Sequence, residues 1–122
     1  MSSPVYKTFS KLVENILVSS RGWIESVTVV SPDGMPVAYN ESSPVNHDFV
    51  AAATAAIGGA VSSVVELLNA SGFNKVDIQL NDKRYVLIRR YQNYYVVCTT
   101  KPNPNLGFIA LVLETYLSQS KA

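Results

Sequence analysis

The chain has 122 residues, the length of one domain, and 48 % of them are hydrophobic types, enough for a two- or three-layer core. Charged residues make up only 16 %, and ten Lys and Arg nearly cancel nine Asp and Glu, which excludes a field able to collect nucleic acid or an anionic membrane. A lone cysteine, Cys98, excludes an internal disulfide, and residues 1–10 lack the basic region and apolar run of a secretion signal, so a cytoplasmic location is expected.

A domain with so little charge, against roughly 25 % in average soluble domains, is expected to hide part of its surface. Ser3 and Pro4 read as the cap and first residue of a helix, along which Val5, Phe9, Leu12, Val13, Ile16 and Leu17 recur at helical spacing as far as residues 19–22. Residues 23–31 are rich in β-branched types and residues 36–40 read as a short return strand, so the pair forms a hairpin about Asp33 and Gly34.

Residues 48–69 predict the central helix, with Asn46 as its cap. At roughly 100° per residue, Val50, Ala53, Ile57, Val61, Val64 and Leu68 share one line and are expected to lie on the sheet. Opposite them stand Ala52, Ala55, Gly59, Ser62 and Ser63, with Ala56 on the flank, where a water-facing side would carry charge. Adjacent glycines inside a helix each cost about 1 kcal/mol relative to Ala. Keeping Gly58 and Gly59 therefore points to close backbone approach, by a second helix across a subunit interface or by elements of the same domain. A membrane span needs about 20 strongly apolar residues, whereas half of the uncharged run 49–65 is Ala, Gly, Ser or Thr; direct membrane insertion is not expected.

Gly72 reads as a helix stop, and residues 75–81 then alternate as a half-buried strand, with Val76, Ile78 and Leu80 against Lys75, Asp77 and Gln79. Residues 84–91 and 94–100 read as two further strands, joined at Gln92 and Asn93, the last apolar in both registers and hence covered on both faces. After the prolines at 102 and 104, Leu106, Ile109, Ala110, Leu113, Tyr116 and Leu117 give the inner stripe of a closing helix. The order α-β-β-α-β-β-β-α defines an α+β domain: a five-stranded antiparallel sheet with the central helix on one face and the terminal helices on the other.

Catalysis needs a matched set of groups, and none is legible. His47 is the single histidine and is expected to be an exposed or capping residue, without the companions of a metal site. Cys98 lies in the run YYVVCTT, where a thiol is inert packing rather than the partner of a His47 base. Gly58 and Gly59 fall within a helix and not at a strand-to-helix turn, so they are no phosphate cradle. No cofactor is expected. Tyr85, Tyr91, Tyr94 and Tyr95 cluster with Arg84, Arg89 and Arg90 around one hairpin. Such groups make interface hot spots and base-stacking surfaces alike. The balanced charge favours a protein partner over nucleic acid, against the plainer reading of strand residues packed beneath the terminal helices.

The chain resembles the Roadblock family, related to longin domains and profilin-like in fold. The resemblance rests on a first strand leading to Asp33-Gly34 and Pro36-Val37-Ala38, the Ala-rich helix AAATAAIGGA, three consecutive strands, and Asn105-Leu106-Gly107 opening the last helix. Their order and spacing carry the likeness, which covers about Ser10 to Leu117, nearly the whole of one domain, residues 1–122. It implies a dimer, with itself or with a related Roadblock chain, in which central helices pair and the strands that follow them join into a ten-stranded sheet. Carried onto this chain, the contact face is Ala52, Ala55, Ala56, Gly59 and Ser63, with Lys75, Asp77 and Gln79 on the joining strand. The resemblance further implies a non-enzymatic regulator or scaffold that binds a small Ras-like GTPase, as a GTPase-activating or exchange-complex subunit, with Arg84, Arg89, Arg90 and Tyr91 as a partner surface. The alternative is a small-ligand-binding sensor or adaptor with an apolar cavity. A cryptic hydrolase built on Cys98 ranks last.

Overall fold

The computed structural model describes residues 4–118. The elements are α1 (Pro4–Ser19), β1 (Ile24–Val30), β2 (Pro36–Glu41), α2 (His47–Leu67), β3 (Lys75–Gln79), β4 (Tyr85–Tyr91), β5 (Tyr94–Thr100) and α3 (Leu106–Leu117), in the expected order. Ser3, the expected cap of α1, lies outside the described residues, as does the side chain of Val5. The strands form one sheet in the order β2-β1-β5-β4-β3, and every neighbouring pair is antiparallel.

Turn chemistry fixes the connections. Gly34 takes φ +86° at the β1–β2 turn, where its N–H donates to the Ser31 carbonyl. Lys83 and Gln92 take left-handed φ values at the β3–β4 and β4–β5 turns. Asn46 and Asn105 cap α2 and α3, each side chain accepting the backbone N–H three residues on, from Phe49 and Phe108 at 3.1 Å. α2 stops at Leu68, with left-handed Asn69 following it. Gly72, expected to stop it, stands in the connection to β3.

The two faces of the sheet differ in how they are filled. Under α1 and α3, Phe9, Val13 and Ile16 meet Val27, Val29, Val96 and Cys98 from the strands and Ile109 and Leu113 from α3, all nearly devoid of solvent contact. The inner line of α3 differs a little from the expected one. Val112 is buried, whereas Leu106 and Ala110 are exposed, since the buried positions Ile109, Val112, Leu113 and Leu117 follow the line nearest α1.

On the other face α2 lies over β1, β2 and β5 and is seated by His47, Ala51, Thr54 and Gly58. This corrects the expected seating line. Val50, Ile57 and Val61 are half-buried at its side, and Ala53, Val64 and Leu68 are exposed. The helix is turned about a quarter turn from the expected setting because bulk comes from the sheet. The Tyr95 ring rises from β5 so that a methyl on Gly58 would come within 2.6 Å of its hydroxyl. Small helix residues fit over that ring; the large ones are displaced to the flank.

Candidate functional site

Several large hydrophobic residues left open, Phe49, Val64, Leu67 and Leu68, lie on α2 or at its end. Ala52, Ala56, Gly59 and Ser63 recur at helical spacing and all are exposed, with Phe49, Val64 and Leu67 beside them at 74 %, 56 % and 82 % exposure. Ala55, the fifth residue of the expected contact face, is half-buried beside the β1–β2 turn, its Cβ about one methyl's contact from Gly34. The two glycines separate cleanly. Gly58 is required by Tyr95, whereas a Cβ on Gly59 would meet nothing within 4 Å. Within one chain nothing accounts for Gly59, which costs helix stability in open space.

Beside this ridge lies the sheet edge. β3 is bonded to β4 on one side only, and its outer row of backbone N–H and C=O groups is open to pairing. Val76 and Ile78 face the α2 side, half-buried, together with Val86 of β4. Lys75, Asp77 and Gln79 project to the opposite side, exposed. Helix ridge and apolar shelf share the α2 face of the sheet, which the open strand edge borders, a surface suited to a second element of the same kind.

The four residues expected as a partner surface do not form one. Arg84 is exposed at the start of β4, and its backbone N–H and then its guanidinium hold the Asp82 carboxyl below the usual carboxylate range. Arg89 lies on the terminal-helix side, mostly covered, and bonds Asp77 at 2.5 Å. Tyr91 packs edge-on against Phe9 in the core of that side. Arg90 is on the α2 side, its guanidinium 5.4 Å from the Tyr95 ring and 5.7 Å from Phe73. Alternation along β4 sends neighbouring side chains to opposite faces, so proximity in sequence misled here.

His47 is also corrected. It is buried at the start of α2, where Nδ1 lies 2.8 Å from Thr28 Oγ1 and Nε2 lies 2.6 Å from Glu41 Oε1, and its ring stacks on Tyr39 at 4.0 Å. Glu41 in turn accepts the Val45 N–H. The network ties α2 to both β1 and β2, and only the single register that places Thr28 opposite Tyr39 makes it possible. Cys98 points to the other face of the sheet, and burial pushes its thiol up to about 12. It can neither reach His47 nor ionise at neutral pH. Among the described residues no group of three or more His, Cys, Asp or Glu could hold a metal ion.

An antiparallel five-stranded sheet between one central and two terminal helices, with an open edge beside the central helix, is the Roadblock and profilin-like architecture. The Roadblock/LC7 domain family matches residues 12–101, and this chain belongs to it. MglB of Myxococcus xanthus superposes with a TM-score of 0.86 at 13 % identity, over 99 % of this chain and 91 % of that one. An MglB solved in a tetrameric arrangement gives 0.78 at 16 %, over 98 % and 95 %. Profilin IA of Acanthamoeba castellanii gives 0.62 at 15 %, over 91 % and 94 %. At such identities these likenesses carry the fold. No curated protein matches the sequence.

Proposed function

We propose that this chain is a non-catalytic regulator or scaffold that works as a homodimer and binds a small Ras-like GTPase. The observation that supports it most is the exposed small-residue line Ala52, Ala56, Gly59 and Ser63 on a helix whose opposite side already has its seat on the sheet. Family membership supports the reading, as do the MglB-like fold and the tetrameric arrangement of one MglB. In the proposed dimer two copies of α2 lie side by side. Ala55 completes the flank, and β3 of each copy adds to the other through the backbone of Lys75, Asp77 and Gln79. Each interchain hydrogen bond contributes about 0.5–1.5 kcal/mol net, and apolar helix contact supplies most of the rest.

A GTPase-binding domain acts by touching switch loops that are ordered in one nucleotide state and released in the other. It needs no catalytic set of its own. The dimer is tested by light scattering on a sizing column. Native chain running as a dimer, with Gly59→Leu a folded monomer, supports the pairing; a monomeric native chain sinks it. The partner is tested by pull-down of small GTPases from the same cell, loaded with GDP or a non-hydrolysable GTP analogue. Retention that depends on the nucleotide supports regulation, and retention of none in either state removes the GTPase reading.

A further inference from the structure

A second surface lies on the far side of the sheet, along the seam between α1 and α3. Two open depressions of about 440 and 350 Å³ run along it and meet at Tyr116. Their floor is apolar: Leu12 and Val112 are buried, Phe108 and Tyr116 half-buried. The Tyr116 hydroxyl crosses the seam to Ser19 Oγ at 2.8 Å and so fixes the spacing of the two helices. Val18 and Leu111 form the lips, 71 % and 65 % exposed. These are large aliphatic side chains in water, beside a trough that is already apolar.

Charge along the trough is one-sided. Lys7 and Lys11 line one end and Arg21 the other, and among the described residues no carboxylate lines either depression. Glu14, which pairs with Lys11 at 3.4 Å, lies toward Tyr39 and Asn40 in a further depression on the other flank of α1, which Lys7 and Lys11 also border. That ion pair is exposed on both sides and neutralises Lys11 weakly. In a chain of net charge +1, three cations around one apolar trough are a local concentration. Arg21 adds a second point. It sits at φ +54°, a conformation glycine adopts without penalty, and its guanidinium is held 6.0 Å over the Phe108 ring. Arg21 thereby places its charge at the mouth of the trough.

We propose that the α1–α3 seam docks an acidic amphipathic helix of a partner protein. A trough between two helices accepts the ridge of a third, its apolar side on Phe108 and Tyr116 between the lips Val18 and Leu111. Lys7 and Arg21 stand about 20 Å apart along α1 at ~1.5 Å per residue, so the docked helix has carboxylates near both ends. The floor lies below its lips, out of reach of a flat bilayer. This surface and the exposed line of α2 are on opposite faces of the sheet, so both can be occupied at once, and the proposal stands whether or not α2 pairs.

The test uses the full chain, ¹⁵N-labelled, and a synthetic helical peptide of about 16 residues with leucines at i, i+3, i+4 and i+7 and glutamates at both ends. A second peptide carries lysines in their place, and vesicles of phosphatidylglycerol form a third arm. The expected result is displaced amide signals at Val18, Leu111 and Thr115 with the acidic peptide, bound roughly tenfold tighter than the basic one. Arg21→Gly relieves the backbone and leaves the fold intact, yet weakens that binding roughly fivefold; Lys7→Glu with Arg21→Glu inverts the preference. Equal binding of both peptides, binding of neither, displaced signals confined to α2, or binding to vesicles alone would each overturn the proposal.

Discussion

The two faces of this sheet are filled on opposite principles. Beneath α1 and α3, large aliphatic side chains from both layers interlock until Val13, Ile16, Val27, Val29 and Ile109 have essentially no solvent contact. Beneath α2 the helix contributes Ala51, Thr54 and Gly58, and the volume is supplied by Tyr95 from the strand. The first face is a finished core. The second is a seat for one side of a helix whose other side is small and open, the side on which the proposed dimer would pair.

Substitutions that probe each face should scale accordingly. Ile16→Ala, on the finished face, should lower unfolding free energy by about 2–5 kcal/mol in denaturant titration; a loss below 1 kcal/mol would mean that this core relaxes as freely as the α2 seat. Gly58→Ala drives a methyl toward the Tyr95 hydroxyl and should cost about 1–3 kcal/mol. Its neighbour should respond with the opposite sign. Gly59→Ala meets nothing and should stabilise the dilute monomer by about 0.5–1 kcal/mol, while reducing self-association in sedimentation runs. Should both alanines act alike, the distinction between seated and open sides of α2 fails.

Smaller effects sharpen the same contrast. Asn46→Ala and Asn105→Ala each remove one cap and should each cost about 1 kcal/mol, and amide exchange should speed up locally in α2 after the first but more globally after the second. The smallest effect at neutral pH comes from Cys98. Its folded-state pKa is raised from 9.0 to about 12, so its contribution is fully present below about pH 9 and is lost as pH rises toward 12. Wild type should lose stability over that window by about 1 kcal/mol per pH unit relative to Cys98→Ala. Parallel pH profiles for the two proteins would place the thiol outside the finished core.

Element order, all three helices and the hairpin pairings were legible because local signals agreed with the fold: Asn caps, Asp33-Gly34, and period-two alternation along β3; the long-range pairing of β1 with β5 was not. The small open side of α2 was legible too, as Ala and Ser in positions where charge belongs. What could not be read was the seating line of α2. Hydrophobic periodicity weighs side chains on the helix alone, and here a tyrosine 37 residues beyond Gly58 sets the spacing. His47 was misplaced for the same reason. Its partners Thr28 and Glu41 come from two strands, and only their pairing register brings both to one ring. Arg84, Arg89, Arg90 and Tyr91 looked like one patch because they are close in sequence, although strand alternation distributes them over two faces and a turn. The one available hint was the pair of adjacent glycines, since two different contacts are needed to retain both.

The seat of α2 is also lopsided along its length. All four buried residues fall between His47 and Gly58, and His47 is tied to both β1 and β2, whereas Leu67 and Leu68 at the far end are 82 % and 72 % exposed. Mechanically the helix is an overhanging beam, seated from His47 to Gly58 and only partly supported beyond it, by half-buried Val61 and Val65. The stretch from Gly58 to Leu67 overhangs by roughly 14 Å at ~1.5 Å per residue, with the contact of Gly58 on Tyr95 as its last buried support. Anything that grips the free end therefore bears on Gly58 and Tyr95 before it reaches the His47 network.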